Sequence, residues 1–107
     1  MKIIDQKRIV AFVTAVEKKK EYVPVPDKVF RHIVSELGEL DAWMHRFEMA
    51  MNSEFPLKWR RKKIGGEILD IIFLVCYLAK IYKVDLNEIA RGHMNRILSK
   101  YQVRHRV

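Results

Sequence analysis

One cysteine, three prolines and four glycines are all that this 107-residue chain holds of the residues that staple, kink or loosen a backbone. The lone Cys76 excludes an intramolecular disulfide framework, and its apolar surroundings predict a small buried hydrophobe in a reducing compartment. So little Gly and Pro, with apolar residues recurring at helical spacing, exclude a turn-rich β fold and predict one all-α domain over residues 1–107. Long hydrophobic runs are missing too. Residues 71–79 are uninterruptedly apolar, well short of the ~20 that span a bilayer, and Asp70 and Lys80 bracket them. The first eight residues lack the basic-then-apolar order of a signal peptide. No membrane span, no export and a cytoplasmic location are therefore expected. Positive charge, by contrast, is plentiful: a formal net charge of +8 points to an anionic partner without choosing between a nucleotide, a nucleic acid and nothing specific.

Residues 5–21 place Ile9, Phe12, Val13 and Val16 on one side and predict an amphipathic helix. Pro24 and Pro26 then hold the backbone extended, and Asp27 is suited to cap a second helix. On that helix Phe30, Ile33, Leu37, Leu40, Met44, Phe47 and Met51 alternate spacings of three and four, a sustained seam for a packing partner. Residues 52–56 close it, and 57–63 read as a basic connector. Gly65-Gly66 precede a third helix whose apolar side carries Ile64, Ile68, Ile71, Ile72, Val75, Ala79 and Tyr82. Asp85, with Glu88 three residues on, predicts the start of a fourth helix running to about Tyr101, and residues 102–107 form a frayed tail.

Asp70 is the only charge between residues 68 and 79. Burying a bare carboxylate costs on the order of several kcal/mol, so it requires a proton, a partner or a cation. Glu67, three residues earlier, is a like charge that worsens the problem unless a metal ion is shared. Glu36 and Glu39 repeat the spacing on the second helix, and three residues at ~100° each leave two side chains about 60° apart, able to converge on one ion. If the two helices pack antiparallel, four carboxylates face one crevice. An oxygen-only set of this kind suits Mg²⁺, with Mn²⁺ as a substitute, rather than zinc. Such ions serve phosphoryl and pyrophosphoryl chemistry.

Glu36-Leu37-Gly38-Glu39, then Glu67-Ile68-Leu69-Asp70, then Asp85-Leu86-Asn87-Glu88 resemble the ExxE, ExxD and DLxE elements of the MazG-like nucleotide pyrophosphohydrolases, in order and spacing, across residues 6–101. The resemblance implies an all-α, four- to five-helix bundle, a homodimer or dimer of dimers, and Mg²⁺-dependent hydrolysis of nucleoside triphosphates to monophosphate and pyrophosphate. It makes Glu36, Glu39, Glu67 and Asp70 the metal-binding and catalytic set. The fourth helix departs from the pattern: where many relatives carry Lys-x-x-x-Asn, this chain has His93 and Ile97, while Arg91 and Asn95 keep that spacing two residues early.

By helical angle His32 and Trp43 share the arc of Glu36 and Glu39. The candidate substrate contacts are Lys63, one turn before Glu67, with Arg91, His93, Asn95 and Trp43. The basic stretch 58–63, with Trp59 as a stacking ring, also supports a nucleic-acid-binding reading. A catalytically degraded relative kept as an interaction module is the third alternative.

Overall fold

The computed structural model describes residues 4–21, 25–49 and 56–105. Among them there is no strand, and the regular structure is four helices: α1 (Gln6–Lys19), α2 (Pro26–Met49), α3 (Leu57–Ile81) and α4 (Leu86–Lys100). The all-α expectation holds. Residues 22–24, Met51 with residues 52–55, and the end of the tail at 106–107 lie outside the described residues.

The helix starts follow local chemistry. The Asp5 carboxylate accepts from the Arg8 amide, and Asp85 accepts from the Asn87 amide, which caps α1 and α4. α2 begins at Pro26, one residue before the expected cap, because proline at a first helical position forfeits no hydrogen bond. Asp27 falls in the first turn instead, where its charge suits the helix dipole.

α3 departs most from expectation. Residues 57–63 are its first turns rather than a connector, and Gly65-Gly66 lie within it. A Cβ at either glycine would meet nothing within 4 Å, so no close approach demands them. Each lowers helix propensity by about 1 kcal/mol relative to alanine, which packing on two sides of α3 outweighs.

Glycine is missing where helices end. Glu21, Lys83 and Gln102, just past α1, α3 and α4, take left-handed φ values of 56°, 57° and 56°. Behind the last two, the Val84 amide donates to the Ala79 carbonyl at 2.8 Å and the Val103 amide to that of Leu98 at 2.9 Å. Both close Schellman motifs, so the first two tail residues are hydrogen-bonded to α4.

α3 is the central element, packed against both α1 and α2. Ile9 and Val13 of α1, Val29 and Ile33 of α2, and Leu74, Cys76 and Tyr77 of α3 form the buried core. The seam expected on α2 divides. Ile33 is buried and Leu40 and Phe47 are half-buried, whereas Phe30, Leu37 and Met44 are 58%, 48% and 49% exposed. The stripe expected on α3 is likewise displaced: Ile68, Val75 and Tyr82 are exposed, while Glu67, Leu74 and Tyr77 are buried. A helix apolar on nearly every side has no periodicity that marks which face meets its neighbours.

α4 has no buried residue. Gln6 ties its start to the bundle, donating from Nε2 to the Val84 carbonyl at 2.8 Å and accepting from the Leu86 amide at 2.7 Å. No helix among the described residues is long and apolar enough to cross a membrane.

Candidate metal centre

Glu36 follows Val29 by seven residues and Ile33 by three, so the inward face of α2 carries it into the contact with α3. Glu67 precedes the buried Leu74 by seven and does the same from α3. It is only 6% exposed. Asp70 is exposed, yet its carboxylate remains close: one oxygen from each of Glu36, Glu67 and Asp70 lies within 4.8 Å of the others. Glu39, about 60° further round α2, is exposed and lies outside that group. Three of the four expected carboxylates thus converge.

The desolvated acid is therefore not Asp70. Asp70 is exposed and lines two clefts, whereas Glu67 lines one of them and is buried. Glu67 Oε1 pairs with Lys63 Nζ at 3.2 Å, and Glu36 Oε1 with His32 Nε2 at 3.3 Å. The second oxygen of each, Glu36 Oε2 and Glu67 Oε2, is buried with no hydrogen-bond partner. An orphaned buried acceptor costs about 1–3 kcal/mol, and more if ionised. Burial, followed by the Glu39 and Asp70 carboxylates, pushes the Glu36 carboxyl above its ordinary value, with Glu67 adding to the rise and His32 opposing it.

Three carboxylates with one oxygen each within 4.8 Å, two of which also carry a buried unpartnered oxygen, could hold a hard divalent cation. Oxygens on opposite sides of a hard cation stand about 4.2 Å apart for Mg²⁺ and about 4.6–5.2 Å for Ca²⁺, so the 4.8 Å spread is of the scale of a hard-cation shell without selecting Mg²⁺. His32 is already paired to Glu36, so it does not make this a zinc set.

A cleft of about 480 Å³ beside the cluster is lined by Trp59, Lys62, Lys63, Gly66, Glu67 and Asp70. Behind it Trp43 packs against Trp59 and Phe47, with ring centroids 5.7 Å away in each case. Arg46 Cζ and Lys63 Nζ lie 4.6 and 4.7 Å from the Trp43 centroid. Trp43, a candidate substrate contact, thus already carries two cations of its own chain. Trp59 likewise packs edge-on against Trp43 and Phe47. Sequence reasoning missed this aromatic group because it ended the basic stretch before α3; extending the helix back to Leu57 places Trp59 two turns ahead of Gly66, on the same element as Glu67. Lys58, Arg61 and Lys62 are exposed. Arg91, His93 and Asn95 are exposed on α4 and line neither cleft that Asp70 joins. His93 Nδ1 instead faces Arg96 Nη2 at 3.3 Å.

Compared with known proteins, the chain matches no family model, no curated protein and no solved structure.

Proposed function

We propose that this chain is a Mg²⁺-dependent nucleoside triphosphate pyrophosphohydrolase of the MazG-like kind, working as a homodimer in the cytoplasm. The observation that carries the reading is the convergence of Glu36 from α2 with Glu67 and Asp70 from α3, two of them holding a buried oxygen without a partner. When bound, a divalent ion supplies Lewis-acid polarisation and neutralises phosphate charge. Glu36, Glu67 and Asp70 hold it. Glu39 stays outside the oxygen cluster but close enough to raise Glu36, which suits it to orient the water that attacks the α-phosphorus. Lys62, at the mouth of the cleft, meets the charge of the departing pyrophosphate.

The dimer rests on surface. The described chain exposes 9103 Å², against about 6,300 Å² for a compact monomer of its mass. Its half-exposed Phe30, Leu37 and Met44 repeat every seven residues along α2, as one side of a helix–helix seam does.

The test is incubation with canonical and modified nucleoside triphosphates and Mg²⁺, assaying monophosphate and pyrophosphate. Turnover is expected for at least one, and Asp70→Asn should lower it by at least roughly a hundredfold, the scale of losing one electrostatic contact to a transition state. No turnover of any, together with no Mg²⁺-induced rise in Tm, overturns the proposal. Orthophosphate with diphosphate as products would mean that a different bond is cut.

A further inference from the structure

Glu67 has a cation already. Lys63 Nζ lies 3.2 Å from Glu67 Oε1, from one turn earlier on the same helix, so the pair forms without any other element. Yet the pairing is incomplete: Glu67 is 6% exposed, and its Oε2 remains buried without a partner among the same carboxylates. A single ammonium neutralises one oxygen of one acid, while Glu36 and Asp70 add two further negative charges nearby. The lysine also has somewhere to go. In its seat the Nζ also lies 4.7 Å from the Trp43 centroid, and the same side chain lines the open cleft with Lys62 and Trp59, which gives the ammonium room to move. A flexible four-carbon stem lets it leave Glu67 without moving the backbone.

We propose that Lys63 is an exchangeable counter-ion, seated on Glu67 while the centre is metal-free and displaced into the neighbouring cleft when a divalent cation takes the carboxylates. The inference rests on the metal centre proposed above and adds a coupling to it. The cation's apparent affinity is lowered by the fraction of time the lysine is seated. Once displaced, the ammonium stands beside Lys62 and is available to an anionic ligand. Cation and anion then favour each other's binding, a reciprocity that linkage requires.

Two measurements on the full chain test this. In the wild type, acetylation footprinting should show Lys63 severalfold more reactive at saturating Mg²⁺, with exposed Lys83 unchanged as the internal control. By calorimetry Lys63→Met should bind Mg²⁺ roughly tenfold more tightly if the lysine is seated nine-tenths of the time. Lys62→Met, which removes the same charge from the same cleft without touching Glu67, should gain no more than about twofold, the screened effect of an exposed charge. Mg²⁺ binding detected only in Lys63→Met would also support the exchange. Mg²⁺ binding to the wild type with unchanged Lys63 reactivity, or equal gains in the two variants, overturns the exchange while leaving the metal centre standing. No Mg²⁺ binding to any of the three proteins overturns both. Footprinting needs no variant, so a Lys63→Met protein that failed to fold would still leave a decisive result.

Discussion

Glu36 gives the proposed metal centre a pH dependence. Its carboxyl is raised in the fold, first by burial and then by Glu39 and Asp70. A raised folded value means that the favourable contribution is fully present below the ordinary carboxylate range and is lost as pH rises through the folded value. In Glu36→Gln that position is neutral at every pH. Without metal, the Tm of this variant should match the wild type near pH 4 and exceed it increasingly toward pH 7, as followed by thermal melts in buffered EDTA. With saturating Mg²⁺ at neutral pH the proposed centre requires the order to reverse, because the variant would lack one of its three carboxylates; a ligand present at about 100 times its Kd stabilises by about 2.7 kcal/mol. An unchanged order in both conditions would remove Glu36 from the centre.

Along the elements, glycine and left-handed backbone have exchanged places. Gly65 stands inside α3 with open space around its missing Cβ, while Lys83 holds φ of 57° at the end of the same helix. Gly65→Ala should raise stability by about 0.5–1 kcal/mol through helix propensity. Lys83→Gly should give a comparable gain, because a left-handed non-glycine residue costs roughly 1–2 kcal/mol and glycine's extra freedom returns part of that. Urea melts with unchanged m-values would check both. These ends also mark what the sequence makes legible. Asp85 is readable as a cap because capping involves one carboxylate and an amide two or three residues on; the same chemistry at Asp5 emerges only in the structure. The acidic pairs are readable as spacing, but not the split of Glu36 from Glu39 or the burial of Glu67 in place of Asp70. Those depend on where α2 crosses α3, and residues 68–79 offer apolar surface in every direction. The place of Trp59 on α3, packed against Trp43, is not legible for another reason: the Gly65-Gly66 pair resembles a break, and tertiary packing overrides it.

At the scale of the whole molecule the chain is open. Its radius of gyration is 17.1 Å, where a compact domain of this length has about 13 Å. The accessible surface exceeds the compact expectation by about 2,800 Å² per chain, more than the roughly 1,000–2,500 Å² that each copy loses in a permanent dimer. Leu37→Asp, placed at the middle of the exposed seven-residue repeat of α2, should convert the proposed dimer to a monomer in light scattering, whereas Asp41→Asn on the same helix should not. A wild-type monomer at the highest soluble concentration would refute the dimer. The absence of any buried residue in α4 then acquires a kinetic meaning. A helix of 15 residues is marginal in water on its own; if the proposed dimer, seated on the α2 repeat, also covers the exposed Ile89, Met94 and Ile97 of α4, its amides should exchange with deuterium fast in dilute solution and slowly in concentrated solution. The amides around Leu74, enclosed by one chain's own core, should exchange at a rate that dilution changes far less.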